Sequence, residues 1–279
     1  MSSRAGPVDP GGGPWDPPAD PGEPEILVAA DPRACAAVAA ARLAAAIEQA
    51  VATRRRADIA TTGGSTPAGI YAELAAPPLR ARVPWQQLHV WFGDDRFVPR
   101  DHPASNVTAL DRALVAGRVP AGPLPAANVH PVPVDAAQAV GDGPAACARR
   151  YADEIRSTLP LDGAGRPAFD AVLVGVGPDG HLLSVFPGSV VPGSRDWAAA
   201  VPAPAHVRPH LPRVTIHPAL LDATPALLVV AFGAGKAAIL GHVLDGPRDL
   251  ARIPAQRARR AGANWILDAA AAALLRPRG

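Results

Sequence analysis

The residues best suited to chemistry in this chain fall in five short blocks. Gly175-Val176-Gly177-Pro178-Asp179-Gly180-His181 places a histidine two residues after an aspartate in a glycine-rich turn. An imidazole titrates near neutrality and can take a proton from water; a nearby carboxylate can orient it or stabilise its charged form. Thr61-Thr62-Gly63-Gly64-Ser65-Thr66-Pro67 reads as a turn into a helix, with Ser65 or Thr66 as cap and Pro67 in the first turn. The free N–H groups of such a helix start favour an anion. Gly93-Asp94-Asp95-Arg96, followed by His102 and Ser105-Asn106, offers an acid–arginine pair that orients hydroxyls or forms a structural ion pair. Arg213-Val214-Thr215 contributes a planar guanidinium fork and Gly233-Ala234-Gly235-Lys236 a compact ammonium. Taken singly, each block has a bland explanation: a capped helix, an ion pair, a surface cation. Taken together, the Gly-Gly-Ser-Thr turn, Arg213 and Lys236 form a phosphate clamp. Of 27 basic residues, Lys236 is the single lysine, which favours a function for it.

Other chemistries lack their signatures. Gly175-Val176-Gly177-Pro178-Asp179-Gly180 matches a Gly-x-Gly-x-x-Gly dinucleotide fingerprint literally, but Pro178 lies inside it and no acidic ribose ligand ends a following strand. The chain has no Gly-x-Ser-x-Gly nucleophile elbow, no Gly-Lys-[Ser/Thr] phosphate loop and no His-Glu-x-x-His or other zinc spacing. No metal or cofactor is expected.

The elements that must position these blocks follow from the apolar patterning. Strand-like runs at 26–29, 58–61, 88–92, 169–176, 213–216 and 226–232 alternate with alanine-rich helical stretches at 32–54, 67–76, 105–116, 136–158, 217–222, 234–244 and 264–275. Near-continuous apolar runs such as Ala-Leu-Leu-Val-Val-Ala-Phe indicate strands buried on both faces. The reading is therefore α/β: a single domain with an open, mostly parallel sheet and helices on both faces. In such a sheet ligands bind beyond the carboxyl ends of the strands, where the chemical blocks lie. Residues 1–24 are rich in Pro, Gly and Asp and read as a disordered tail before a domain at 25–279. No apolar run looks long enough to span a bilayer, and no secretory signal opens the chain. A formal net charge of +2 excludes a dominant nucleic-acid or membrane footprint. Cys35 and Cys147 read as inert thiols in a reducing compartment. Without a span or a signal, a cytoplasmic protein is expected, as a monomer or small homo-oligomer.

The set of blocks, in this order, resembles the 6-phosphogluconolactonases, over roughly residues 25–275. Pro254-Ala255 and Trp265-Ile266-Leu267-Asp268 fit the same pattern. The resemblance implies a fold of the glucosamine-6-phosphate deaminase type, a modified Rossmann arrangement. It implies hydrolysis of 6-phosphoglucono-1,5-lactone in the pentose phosphate pathway, without metal or cofactor. It implies His181 as general base supported by Asp179, with Asp94 and Arg96 lining the sugar site. Gly64, Ser65, Thr66, Arg213 and Lys236 would hold the phosphate. Two positions depart from the family pattern: Asp95 where glutamate is common, and Leu183 where a small residue is common. The rival within the fold is a glucosamine-6-phosphate isomerase/deaminase, which carries a glutamate where Phe186 stands here; no carboxylate occurs between His181 and Asp196. The rival of another class is a non-catalytic sugar-phosphate sensor, which generally carries a DNA-binding segment; the tail here has no helix-turn-helix pattern.

Overall fold

The computed structural model describes residues 21–119 and 122–277, apart from the side chain of Ser65. Among these residues ten strands form two sheets: β1 (Glu25–Ala29), β2 (Ala57–Thr61), β3 (Leu88–Phe92), β4 (Asp94–Arg96), β5 (Val129–His130), β6 (Ala171–Val174), β7 (Ala198–Val201), β8 (Arg213–Ile216), β9 (Ala226–Ala231) and β10 (Ala263–Asp268). The larger sheet runs β1-β10-β9-β6-β2-β3-β5 with every pair parallel. Every residue of β2 and β6 is buried, as strands covered on both faces require. The chain leaves β2 towards β3 and β5, then returns to β6 and proceeds the other way through β9 and β10. The strand order therefore reverses between β2 and β6, which opens a crevice at their carboxyl ends. A smaller antiparallel sheet, β4-β8-β7, stands beside it.

The long helix Pro32–Arg54 starts on Asp31, whose carboxylate accepts the Ala34 N–H at 2.8 Å, with proline in its first turn. It buries Ala39, Ala40, Leu43, Ala44 and Ile47; the small alanines let the helix approach the sheet closely. By length and composition this helix is apolar enough to cross a membrane, so the expectation that no such run exists is corrected. Its apolar face packs on β2, β10 and β9, as a core helix does.

The sequence reading of 264–275 as helix is also corrected. Ala263–Asp268 is β10, paired between β1 and β9, and only Ala269–Ala272 is helical. A strand buried on both faces loses its alternation, so next to an alanine run it reads as helix. The stretch 136–158 is two helices, Val134–Ala139 and Pro144–Thr158, separated at Gly141, which takes φ +75°. Strand 213–216 belongs to the small sheet rather than the parallel one. Residues 1–20 of the expected tail lie outside the described residues. Residues 21–24 rest on the body, where the Ala261 N–H donates to the Pro21 carbonyl at 2.8 Å.

Cys35 and Cys147 are both free and buried, and burial pushes each thiol up to about 11.

His217, at the end of β8, is fully buried. Its Nδ1 accepts the Ala219 N–H at 3.2 Å, and Nε2 therefore donates to the Pro192 carbonyl at 3.3 Å. Burial pushes this imidazole down to about 4. The native state thus holds His217 neutral where the unfolded chain, near 6.5, takes up a proton. Its contribution is complete above pH 6.5 and is lost as pH falls towards 4. Burial raises Asp95 to about 6, which runs the other way, so comparison with a variant isolates the histidine. In urea titrations His217→Gln should be less stable than wild type at pH 7.5, and the gap should close by pH 5. A gap constant with pH refutes the assignment.

Candidate active site

Three turns at the carboxyl ends of β2, β6 and β9 converge with the edge of the small sheet on one cavity of about 380 Å³. Its lining includes Gly64, Thr66, Asp94, Arg96, His181, Arg213 and Lys236. These residues come from all five sequence blocks, and Asp179 stands directly behind His181. The volume lies within the ~300–1,000 Å³ of small-molecule sites. The Ser65 side chain, expected on the phosphate, lies outside the described residues.

The turn after β6 is built around the histidine. Gly177 N–H donates to the His181 carbonyl at 2.8 Å and Gly180 N–H to the Gly177 carbonyl at 3.0 Å, which closes the loop. His181 Nδ1 meets Asp179 Oδ1 at 2.5 Å, and the His181 backbone N–H reaches the same oxygen at 3.2 Å. An ionised carboxylate only accepts, so Nδ1 carries a proton, and in the neutral imidazole Nε2 holds the lone pair. Burial would raise Asp179, but hydrogen bonds from His181 and His206 and the histidine charge outweigh it and hold the carboxyl well below the usual range. The Phe186 ring packs on His181 with centroids 4.7 Å apart. The segment after Gly180 is no helix: Leu182 and Val185 bridge across a tight turn, with Leu183 at φ +56° and buried in the cavity wall.

Gly177 has no room for a side chain. A Cβ there would overlap Nδ1 of His181 and crowd Asp179 Oδ1. Its φ is not positive, so the constraint is the close approach alone. With His181 as the expected general base, Gly177→Ala should therefore fold, by circular dichroism, yet lose roughly 10- to 100-fold in turnover, the cost of a ~1 Å displacement of such a group. Wild-type turnover in this variant would show that the ring position is not critical.

The opposite wall is electrostatically incomplete. Antiparallel pairing of β4 with β8 sets Arg96 directly across from Arg213. Residues so paired share a face and lie close, and like charges there repel. Arg213 is 3% exposed, and its Nε and Nη2 have no partner. Arg96 donates from Nη1 to the Ala104 carbonyl at 2.9 Å and Asn106 Oδ1 at 2.6 Å, while its Nε is orphaned. Neither arginine forms an ion pair among the described residues. The Arg213 guanidinium lies over Phe186, 5.4 Å from the ring centroid. Burial lowers Arg213 from its ordinary value, as it does Lys236, whose Nζ donates to the Val176 carbonyl at 2.6 Å. A buried and a half-buried guanidinium facing each other without carboxylate partners are costly unless an anion arrives.

The acids are already engaged. Asp94 Oδ2 accepts from Ser184 Oγ at 2.5 Å, and Oδ1 from Thr62 Oγ1 and Asn106 Nδ2 at 3.3 Å each. Asp95, outside the cavity lining, accepts the Arg96 and Asn106 backbone N–H groups at 2.7 Å and Ser105 Oγ at 2.9 Å; it shapes the loop. Three contributors were not assigned roles from sequence. Asn106 bridges Arg96 and Asp94. Leu183 fills the wall against Gly93. His206 reaches Asp179 Oδ2 at 2.8 Å. The one sequence signal for His206 was a histidine in a proline-rich loop shortly before Arg213. Among the described residues no group of three or more His, Cys, Asp or Glu has a metal-holding arrangement.

Residues 30–267 match the family described as glucosamine-6-phosphate isomerases/6-phosphogluconolactonase. A 6-phosphogluconolactonase of Streptomyces coelicolor is 37% identical over 262 residues, 90% of this chain and 95% of that protein. The solved structure of 6-phosphogluconolactonase from Trypanosoma brucei superposes with a TM-score of 0.77 at 28% identity, covering 91% of this chain and 99% of the other. A monomeric glucosamine-6-phosphate deaminase shares the fold, with a TM-score of 0.70 at 19% identity over 90% of this chain and 99% of the other. The chain belongs to the glucosamine-6-phosphate isomerase/6-phosphogluconolactonase family.

Proposed function

We propose that this protein is a cytoplasmic 6-phosphogluconolactonase, a carboxylic ester hydrolase that opens 6-phosphoglucono-1,5-lactone to 6-phosphogluconate. The observation that carries this reading is one cavity holding both an aspartate-oriented imidazole and two facing arginines, Arg213 buried and Arg96 half-buried, without acidic partners. The relatives named 6-phosphogluconolactonase support it from sequence and from structure.

The phosphate sits against Arg213 and Lys236, with the turn at Gly64 and Thr66 completing the cradle. Arg96, across from Arg213, reaches the same anion, which extends its expected role at the sugar. Asp94 faces the sugar hydroxyls, exchanging its long 3.3 Å bonds for them. His181 Nε2 takes a proton from water as the water oxygen attacks the lactone carbonyl carbon. The tetrahedral intermediate then collapses, the bond to the ring oxygen breaks, and that oxygen receives the proton from His181. The amides of Gly177 and Gly180 already serve the turn, so the carbonyl oxyanion falls to other donors, the Arg96 guanidinium among them. Phe186 supports lactone hydrolysis over deamination, because an aromatic ring occupies the place beside His181 where the deaminases carry a glutamate.

The test is a pH-stat assay with freshly generated 6-phosphogluconolactone beside unphosphorylated gluconolactone, each corrected for spontaneous hydrolysis. Acceleration of the phosphorylated lactone, with far weaker effect on the other, is expected. No acceleration above background overturns the proposal, and ammonia release from glucosamine-6-phosphate would establish the rival.

A further inference from the structure

Asp179 is shared between two histidines. Oδ1 accepts from His181 Nδ1 at 2.5 Å, and Oδ2 meets His206 Nε2 at 2.8 Å. His206 lies on the loop between β7 and β8, and its side chain is 56% exposed. The loop is anchored nonetheless. The His206 ring stands edge-on to Phe186 at 5.7 Å, and Val207 packs on the small cluster of Val185, Phe186, Val191 and Val201. Phe186 thus touches His181 on one side and His206 on the other.

We propose that His206 is a positioning residue for lactone hydrolysis, acting through Asp179 to fix the orientation and proton affinity of His181. Because Asp179 accepts only, His206 Nε2 carries its proton towards Oδ2. A carboxylate bonded at both oxygens cannot rotate, and it directs less negative charge at each donor. Lys236 also faces Asp179 and its charge couples to it, while Arg213 lies over Phe186 and couples instead to Asp94 and Asp95. Without the His206 donor, Oδ2 turns to solvent and Asp179 holds the proton on His181 more firmly. The imidazolium then returns its proton to the leaving ring oxygen less readily, and the base loses one constraint on its angle.

This inference rests on His181 as the base, so His181→Ala is measured in the same series. His206→Ala and His206→Phe should each lower kcat roughly 3- to 10-fold, the worth of one hydrogen bond, with KM within about twofold. The acid limb of the kcat profile should move to higher pH. Phenylalanine retains the aromatic edge on Phe186, so its agreement with alanine separates the hydrogen bond from ring packing. His206→Gln, which keeps an N–H donor, should recover most of the turnover and the wild-type limb. Wild-type kcat and acid limb in the alanine and phenylalanine variants overturn the inference. A rise in KM alone also overturns it, since that marks the loop as a binding element. If His181→Ala itself retains wild-type turnover, the underlying reading fails. If His181→Ala collapses while the His206 variants are silent, only the present inference fails.

Discussion

Replacing His181 with alanine should reduce kcat for 6-phosphogluconolactone by about 10²- to 10⁴-fold, the usual worth of a positioned general base. The expectation follows from geometry: Nδ1 is tied to Asp179, and the lone pair on Nε2 is the basic site left for water. The fold should survive, because Asp179 retains its bond to His206 and is not left as an unpaired buried charge. The proposed phosphate cradle is untouched, so KM and 6-phosphogluconate affinity should stay within about threefold. The loss then falls on kcat, as when an interaction confined to the transition state is removed. Steady-state kinetics with a product-inhibition measurement checks this. Unchanged turnover sinks the assignment of the base. A collapse of product affinity with intact kcat would make His181 a binding residue instead.

Arg213→Met should produce opposite changes in stability and function. Arg213 is buried, opposite another arginine, with two nitrogens unpartnered, and burial disfavours its charged form. Methionine covers similar apolar surface without the charge, so the thermal midpoint should rise, by ~2–4 °C for each kcal/mol relieved. The same change removes charge-assisted bonds to phosphate worth ~1.5–3 kcal/mol, about 10- to 100-fold in kcat/KM for the phosphorylated lactone. The unphosphorylated lactone should be affected little. Equal losses on both substrates would refute the phosphate assignment, and a lower midpoint would show that Arg213 is structurally paired after all. Such a trade of stability for affinity is expected where a site is built to receive an anion.

The chemical blocks were legible in the sequence because each is local. Asp179 and His181 sit in one turn, and Gly63-Gly64-Ser65-Thr66 in another. The first follows a strand, Ala171–Val174, whose apolar run betrays burial on both faces. The convergence of these blocks on one cavity was also within reach, since the carboxyl edge of a parallel sheet is where such turns meet. Strand β10 escaped because burial on both faces erases the alternation that separates strand from helix.

Other features were decided by the tertiary structure alone. The confrontation of Arg96 with Arg213 is a matter of antiparallel register, and a shift of one residue would send them to opposite faces. The engagement of Asp94 by Ser184 joins the start of β4 to the tight turn at Leu182–Val185, far away in the chain. The second histidine on Asp179 depends on how a proline-rich loop drapes over Phe186. Sequence by itself determined which groups this protein possesses and which strand ends carry them, because turns and buried strands are written in neighbouring residues. Only the fold decided which of those groups are already bonded to one another and which remain open to a ligand, because partnership depends on distances between segments far apart in the chain.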